Sequence, residues 1–306
     1  MKNTPKISII IPNYNHKPYL QQRLDSVFGQ TFQDFEVIVL DDASTDGSQE
    51  VLKAYNNHPK VSHMVFNAVN SGSPFKQWQK GIALAQGEWI WIAESDDYCE
   101  LDFLSTLLSF YESDTSCVLL YCATKHKDEI SGKMYLDTWA SAMDEHRWNN
   151  SFINTGQDEV KRYFRYRNII PNASGALFKK EAVLNVRLPI DMNYCGDWQL
   201  WLQLLSYGSI GYVSKPMNYF RKHKDTTRTF KLLESERTRF NEYYTIIQQY
   251  STFLDRLVYL NKYNWIVLEC YLKKRTLGRF PNVKLKLPIE LQLAYCMLVV
   301  RKKLSL

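Results

Sequence analysis

The stretch Phe35-Glu36-Val37-Ile38-Val39-Leu40-Asp41-Asp42 decides the fold, because a mostly apolar, β-branched run stops there at two carboxylates. Runs of this kind are typical of parallel strands that helices cover on both faces. Further runs of the same type occupy residues 7–11, 61–66 and 89–93, and helical periodicity lies between them at residues 18–29 and 75–85. This alternation predicts an α/β domain with a mostly parallel sheet and right-handed crossovers.

The rest of the chain divides into two parts. Patterns typical of helices (103–111, 158–166, 197–205) and of strands (118–121, 217–220) surround a polar, loop-like stretch near residues 130–155. From residue 231 to residue 306 the pattern is helical throughout, with breaks at Pro281 and Pro288. We therefore expect a main domain over residues 1–230, with halves that divide at about residue 100, and a helical extension over residues 231–306.

Charge is distributed unevenly along the chain. Residues 231–306 contain 14 Lys and Arg against 6 Asp and Glu, which leaves 24 against 26 of the totals 38 and 32 for residues 1–230. In this basic extension, Lys273-Lys274-Arg275 and Arg301-Lys302-Lys303 each follow an apolar helical stretch. The pattern is typical of helices that lie on an anionic membrane surface. It also fits helices that pack on the main domain and expose their charges, so both interpretations stay open.

Cysteine usage and the opening residues predict a location. The six cysteines form no CxxC pair and no zinc-like spacing, which favours buried free thiols in a reducing compartment. Residues 1–5 lead directly into a strand without the apolar core of a signal peptide, and no apolar stretch approaches the roughly 20 residues of a membrane span. We expect a cytoplasmic protein, held peripherally at the inner face of the plasma membrane if its extension binds lipid.

Polar clusters follow three of the predicted strands, at residues 12–15, 41–48 and 94–97. Turn chemistry alone explains any one of them, but the carboxyl edge of an open parallel sheet is where ligands bind. No glycine-rich phosphate loop of the GxGxxG or Walker type follows the first strand. The acids instead predict a divalent cation, Mn²⁺ or Mg²⁺, which proteins hold by one or two carboxylates together with substrate phosphates.

The order and spacing of these motifs resemble those of inverting glycosyltransferase family 2, which has the A-type nucleotide-sugar fold. The resemblance covers residues 6–225 and implies a single catalytic domain with a Rossmann-like central sheet. It rests on SIIIPNYN (8–15), QTF (30–32), VLDDASTDGS (39–48), NSG (70–72), Gly81, Ala85, GEWIWI (87–92) and ESDD (94–97).

The resemblance implies roles for residues in the nucleotide pocket. Pro12 and Tyr14 would line it, with the ring of Tyr14 stacked on the base, and Asp42, beside Asp41, would bind the edge of the base. The family's basic residue after residue 70 has an ambiguous register here, with Trp78 at one position and Lys76 nearby, and Lys76 is favoured. Ser95 and Arg221 complete the candidates for the nucleotide sugar.

The family's Asp-x-Asp metal motif corresponds to Glu94-Ser95-Asp96 in this chain. Asp96 would be the direct ligand, Glu94 a longer carboxylate with a less certain contact, and His223 a further ligand. Asp97 is as readily a cap of the next helix.

The family's general base and acceptor region have counterparts further along. The usual Glu-Asp pair is Gly196-Asp197, so Asp197 is the candidate base, and it could instead cap the following helix. Trp198 would stand near the acceptor or pack in the core. Ser174 and Gly175 would border the acceptor cavity.

These assignments predict a metal-dependent inverting transferase. It would move a sugar from a nucleotide diphosphate, usually UDP in the family, to a glycan or lipid-linked oligosaccharide in the synthesis of bacterial capsule, lipopolysaccharide or other cell-surface polysaccharide. No nucleic acid is expected as a partner. A nucleotidyltransferase would need a glycine-rich, Lys-bearing signature that residues 7–15 lack. A non-catalytic nucleotide-sugar-binding protein stays open, since Glu94 and Gly196 depart from the family pattern.

Overall fold

The computed structural model describes residues 4–223, 233–257 and 289–304. The chain forms two compact units. The first contains the residues up to Phe164 together with Asn168–Thr229, and the second contains Arg165–Arg167 together with Phe230–Leu306.

A ten-stranded sheet forms the centre of the first unit. Its strands, in chain order, are β1 (Ile7–Asn13), β2 (Phe35–Asp41), β3 (Val61–Phe66), β4 (Trp89–Ile92), β5 (Tyr98–Cys99), β6 (Cys117–Asp128), β7 (Met134–Leu136), β8 (Phe152–Thr155), β9 (Ala176–Lys179) and β10 (Ser209–Lys222). The main order is β3-β2-β1-β4-β9-β6-β10-β5, with β7 paired to β6 and β8 paired to β10.

The direction of the strands confirms a mostly parallel sheet. Strands β3, β2, β1 and β4 are parallel neighbours. Strand β9 runs against both β4 and β6, so β6 and its parallel neighbour β10 point the same way as β1. The carboxyl ends of these long strands therefore meet at one edge, which is where the polar clusters of the sequence lie.

Helices flank the sheet in the order that the alternation predicts. The first unit contains α1 (Lys17–Phe28), α2 (Ser48–Lys53), α3 (Pro74–Leu84), α4 (Phe103–Glu112), α5 (Gly156–Glu159), α6 (Lys180–Leu184) and α7 (Gly196–Leu204). Every residue of β1, β2 and β4 is buried, because helices cover both faces of these strands. One face packs Leu20, Leu24 and Phe103 against Ile9 and Trp91.

The second half of the unit is more regular than its sequence indicates. Strand β6 extends seven residues beyond the predicted end at residue 121, and β10 begins at Ser209 instead of residue 217. The stretch near 130–155 contains β7, β8 and short 3₁₀ turns. The predicted helix at 158–166 is α5 followed by a π-helical turn at Val160–Phe164. Strand pairing between residues far apart in the chain sets these boundaries.

The described part of the second unit contains the helices α8 (Leu233–Tyr250) and α9 (Ile289–Leu304). Glu290 accepts hydrogen bonds from Tyr244 (2.7 Å) and from Nε of Arg256 (2.9 Å). No helix of the described ranges is long and apolar enough to cross a membrane. The basic cluster at residues 273–275 lies outside the described residues.

The cysteines are free wherever the structure describes them. Cys99, Cys117, Cys122 and Cys195 are buried, and Cys296 is exposed. Burial raises the pKa of Cys99 to about 11, so its thiol stays protonated near neutral pH.

Candidate active site

Asp41 holds the polar loop after β2 in place. Its fully buried carboxylate accepts hydrogen bonds from Asn13 Nδ2 (2.8 Å), the backbone N–H of Ser44 (3.0 Å) and Gln49 Nε2 (2.8 Å). The loop also contains Ala43 with φ of 62°, a conformation that is costly for a residue with a Cβ. The described contacts therefore give Asp41 the role of shaping the loop that carries Asp42.

Asp42 is the point where the β2 loop meets the segment before α3. Its carboxylate accepts hydrogen bonds from Asn67 Nδ2 (2.7 Å), Gln77 Nε2 (2.8 Å) and both the backbone N–H (2.9 Å) and hydroxyl (2.7 Å) of Ser71. These donors occupy the lone pairs that an Asp carboxylate offers. A base that binds Asp42 has to replace one of them, and Ser71 is the most mobile candidate because its hydroxyl can rotate.

The structure does not single out one residue as the basic group predicted near α3. Lys76 is exposed and donates to the carbonyl of Ser71 (3.0 Å), whereas Trp78 is buried. Lys80, which has no counterpart among the sequence predictions, donates to Asn67 Oδ1 (2.7 Å). Through Asn67 this ammonium adjoins the partners of Asp42. Lys76 and Lys80 are therefore both basic groups at this rim.

Tyr14 and Pro12 lie at the carboxyl end of β1. The side chain of Tyr14 is half exposed, and Pro12 is buried. Between Tyr14 and α1, Asn15 adopts φ of 56°, and its Oδ1 accepts the backbone N–H of Thr45 (2.8 Å). The β1 and β2 loops are thus tied together, with the ring of Tyr14 left accessible for stacking.

Asp97 is the central buried group of the loop after β4. Its Oδ2 accepts hydrogen bonds from Asn172 Nδ2 (2.5 Å) and Ser174 Oγ (2.7 Å), and its Oδ1 accepts the backbone N–H of Arg221 (3.0 Å). Ser174 Oγ also accepts the backbone N–H of Glu94 (3.1 Å). Asp97 is therefore not a helix cap, and Ser174, predicted to border the acceptor, is a buried support of the 94–97 loop.

Arg23 of α1 lies beneath the same loop. Its side chain is fully buried, its Nε donates to the carbonyl of Glu94 (2.8 Å), and its guanidinium lies over the ring of Trp91 (5.5 Å). Burial and the charge of Asp96 raise the pKa of Glu94 and of Asp97, and the charge of Arg23 opposes both shifts. A buried cation next to several carboxylates partly compensates for their mutual repulsion.

His16, Asp96 and His223 converge at the end of the sheet. One ligand atom from each lies within 4.8 Å of the others, and Nε2 of His223 is 3.2 Å from Oδ2 of Asp96. Nδ1 of His16 is hydrogen-bonded to Ser95 Oγ (2.8 Å), which leaves Nε2 of His16 as the ring nitrogen for a metal. Two imidazoles and one carboxylate form a donor set that suits Mn²⁺ and other first-row transition metals.

The predicted ligands are thus brought together in part. Asp96 and His223 meet as expected, and Ser95 orients His16. Glu94 lies outside this group, because its Oε1 accepts the indole N–H of Trp78 (2.8 Å). His16 was missed because a histidine in a loop after a strand carries no sequence signal of its own.

Arg221 is buried and its guanidinium is extensively used. Nε donates to Glu129 (2.9 Å), Nη1 donates to the carbonyl of Asp96 (2.8 Å), and Nη2 donates to Gln22. These contacts fix the loop that carries Asp96. A contact between Arg221 and a phosphate stays a prediction, and the described contacts favour a positioning role.

The three neighbouring acids differ in protonation. Burial, and then the charge of Asp96, raises the pKa of Glu94 to about 8, although the hydrogen bond from Trp78 opposes the shift. Burial also favours the protonated form of Asp96, but His16 and His223 outweigh it and lower its pKa. Burial and Asp96 raise the pKa of Asp97. Negative charge is therefore concentrated on Asp96, the acid that faces the two imidazoles.

The residues that depart from the family pattern are connected through packing. Glu94 binds Trp78, whose ring packs edge-on against Phe75 with 5.0 Å between centroids. A Cβ on Gly196 would lie 2.7 Å from three carbons of the Phe75 ring. Phe75 thus occupies the space where a side chain at position 196 would begin. The longer Glu94 and the absent acid at Gly196 are parts of one packing arrangement.

Asp197 lies in the first turn of α7 and is half-buried. Its Oδ2 accepts a hydrogen bond from Asn168 Nδ2 (2.9 Å), and its Oδ1 accepts one from the backbone N–H of Trp198 (2.7 Å). Trp198 is 1% exposed and donates its indole N–H to the carbonyl of Phe164 (2.7 Å). We assign Trp198 to the core rather than to the acceptor. Gly175 is also buried, and a Cβ added at this position would lie 3.2 Å from Nδ2 of Asn218 and from Oγ1 of Thr124.

The sequence profile of Glycosyl transferase family 2 matches residues 8–183, which is more than half of the chain. The chain belongs to glycosyl transferase family 2. The family match begins at the second residue of β1, extends beyond β9 and contains the three polar loops after β1, β2 and β4.

Two similar bacterial proteins have the names of glycosyltransferases. The putative teichuronic acid biosynthesis glycosyltransferase TuaG of Bacillus subtilis is 26% identical over 68% of this chain and 75% of its own length. The poly(ribitol-phosphate) beta-glucosyltransferase of Bacillus spizizenii is 36% identical over 38% of this chain. The aligned part is only 18% of that relative's length.

Solved structures of similar fold confirm the A-type architecture. Staphylococcus aureus TarS 1–349 in complex with UDP-GlcNAc superposes with a TM-score of 0.62 and 20% identity, covering 95% of this chain and 78% of that one. The mannosyltransferase PcManGT of Pyrobaculum calidifontis, in complex with GDP-Man and Mn²⁺, gives a TM-score of 0.60 and 15% identity, covering 99% and 81%.

The close packing of Phe75 on Gly196 predicts the sign of the stability change that Gly196→Ala causes. Alanine in a helix normally exceeds glycine in stability by up to about 1 kcal/mol. We expect Gly196→Ala instead to lower the free energy of unfolding by roughly 1–3 kcal/mol, because the new methyl group meets the Phe75 ring.

A double-mutant cycle supplies the control. Phe75→Ala alone should cost about 3–5 kcal/mol, and the combined variant should lose less than the sum by about 1 kcal/mol or more. Chemical denaturation measures all four proteins. A stabilising Gly196→Ala, or additive effects, would contradict the packing argument.

Proposed function

We propose that this chain is a metal-dependent, inverting glycosyltransferase that uses a nucleotide diphosphate sugar as donor. The observation that carries the proposal is the convergence of His16, Asp96 and His223 at the carboxyl edge of the sheet, beside the loop of Asp42. Membership of family 2 and the A-type fold support the same activity. The structural neighbours are named as complexes with UDP-GlcNAc and GDP-Man, which supports a nucleotide sugar as the donor. They leave open whether its base is uracil or guanine.

Donor binding is assigned to the loops after β1, β2 and β4. Tyr14 offers an accessible ring for stacking on the base. Asp42 offers a carboxylate for the base edge once Ser71 turns away, and Lys76 and Lys80 offer positive charge at the same rim. The diphosphate then lies toward Asp96, where the negative residue and two imidazoles can hold Mn²⁺ or Mg²⁺ against it. When bound, such a cation neutralises charge on the departing diphosphate.

Asp197 is assigned as the general base. Asn168 and the backbone N–H of Trp198 fix both of its oxygens, so the carboxylate is held in one orientation. In an inverting transfer it removes the proton of the acceptor hydroxyl while that oxygen bonds to the anomeric carbon and the diphosphate leaves from the opposite side. The packing of Phe75 on Gly196 explains why a second acid is missing without removing the base.

The acceptor is assigned to the glycans and polyol phosphates of bacterial surface polymers, or to an oligosaccharide on a lipid carrier. The relatives named for teichuronic acid, poly(ribitol-phosphate) and chondroitin support this class. Contact of the basic extension with anionic lipid stays a prediction, since much of that extension lies outside the described residues.

Metal dependence is tested at Asp96. Asp96→Ala removes the carboxylate of the three-residue cluster, so we expect sugar transfer to be abolished and the Mn²⁺-dependent stabilisation by a nucleoside diphosphate to be lost. A thermal-shift titration of UDP and GDP, with and without Mn²⁺, measures the second effect without turnover. Asp191→Ala serves as the matched control, because that carboxylate is exposed and paired with Arg187. Full activity of the unmodified enzyme in excess chelator would refute the proposal.

The role of Asp197 is tested by an isosteric change. Asp197→Asn keeps a group of the same size at the start of α7 but removes the base, so we expect kcat to fall by at least about 100-fold. Donor affinity, measured by the same thermal shift, should stay nearly unchanged. Retention of most of the activity would assign the base to another residue.

A further inference from the structure

An exposed hairpin extends the sheet beside the candidate active site. Strand β7 pairs antiparallel with the end of β6, and all three of its residues are exposed. Its turn and flanks are unusually apolar for a surface. The exposed side chains are Ile130 (69%), Met134 (46%), Tyr135 (44%), Leu136 (48%) and Trp139 (47%).

The strand register determines which side chains share one face of this hairpin. Lys125 is directly opposite Leu136, and Lys127 is directly opposite Met134. Residues paired in this way share a face of the sheet. Lys125, Lys127, Met134 and Leu136 therefore form one amphipathic surface, here called the ribbon face.

Basic residues outnumber acids in this region, with Lys125, Lys127, Lys133 and Lys222 against Asp128, Glu129 and Asp137. Asp128 accepts the backbone N–H groups of its own turn, Glu129 binds Arg221, and Asp137 binds His126. By contrast, Lys125 and Lys127 form no ion pair with any acid of the described residues. The ribbon face thus presents aliphatic side chains and uncompensated ammonium groups side by side.

The ribbon face is continuous with the active-site side of the sheet. On β10, Tyr219 and Arg221 are paired with Lys125 and Lys127, so they lie on the same face. Arg221 contacts the backbone of Asp96. A surface that docks here lies next to the loop of the metal cluster.

We propose that the ribbon face docks on an anionic lipid bilayer. Lysines bind lipid phosphates, and the exposed side chains of Met134 and Leu136 enter the boundary between headgroups and acyl chains. Trp139, which follows the hairpin and is exposed, is a residue type that settles at that boundary. A hydrophilic glycan would gain little from the aliphatic side chains, so the composition favours lipid. All residues of this surface belong to the first unit, and docking through it needs no catalytic activity.

The test is co-sedimentation of the full chain with lipid vesicles in the absence of nucleotide. Vesicles of phosphatidylcholine alone are compared with vesicles that also contain phosphatidylglycerol. Met134→Ser combined with Leu136→Ser, and separately Lys125→Gln combined with Lys127→Gln, should each weaken partitioning onto the anionic vesicles by about tenfold or more. Lys161→Gln combined with Leu184→Ser is the control pair, because both residues are exposed and lie outside the hairpin.

The outcomes separate the ribbon face from the basic extension and from a glycan site. Melting temperatures must match the parent protein before the sedimentation is compared, and surface substitutions of this kind are expected to leave them within a few degrees. Unchanged sedimentation of both hairpin variants would overturn the proposal and leave any membrane contact to residues 231–306. If the hairpin variants bind vesicles as the parent does but no longer bind dextran sulfate, the proposal would also be overturned. The ribbon face would then be a site for an anionic glycan. Transfer activity on a soluble acceptor should be the same in all variants, so failure of this proposal is distinct from failure of the enzymatic one.

Discussion

One buried carboxylate holds the active-site region together. Asp97 is 1% exposed, and its hydrogen bonds join three separate parts of the chain: the loop after β4, the turn that carries Asn172 and Ser174, and the end of β10 at Arg221. Because buried acceptors without partners are costly, this arrangement strongly favours one relative position of the three segments. The positions of Asp96 and His223, which lie one residue before and two residues after members of this network, follow from it.

The same region collects negative charge that the fold must compensate. Glu94, Asp96 and Asp97 lie within one turn of chain, and Arg23, Arg221 and the two imidazoles place positive or polar groups against them. Proton uptake by Glu94 removes part of the charge when no cation is present. A cation bound at Asp96 would also reduce this negative charge. The buried acids that hold the loop in place therefore favour the binding of a cation, which the proposed reaction needs.

Local patterns sufficed to predict the parallel half of the sheet, since the apolar runs of β1, β2 and β4, each followed by a polar cluster, identify these strands without tertiary information. The family resemblance predicted Asp96 and His223 as metal ligands, and the structure places these two side chains beside each other. Local patterns could not identify His16, Gln77, Asn168 or Asn172, whose roles come from hydrogen bonds across long stretches of chain. Ser174, expected at the acceptor, is buried and bonded to the 94–97 loop, and Trp198 is buried in the core. Glu94 and Gly196 appeared as isolated departures, and only packing shows that Trp78 and Phe75 connect them.

In the proposed site, His16, Asp96 and His223 hold a cation against a nucleoside diphosphate. Pulsed electron paramagnetic resonance of Mn²⁺ bound together with UDP or GDP tests it most directly, because the spin echo records nitrogen atoms bonded to the metal. We predict imidazole nitrogen couplings that weaken in His16→Ala and in His223→Ala and leave the nucleotide's phosphorus coupling detectable. Tight nucleotide-dependent Mn²⁺ binding without any nitrogen coupling would contradict the account.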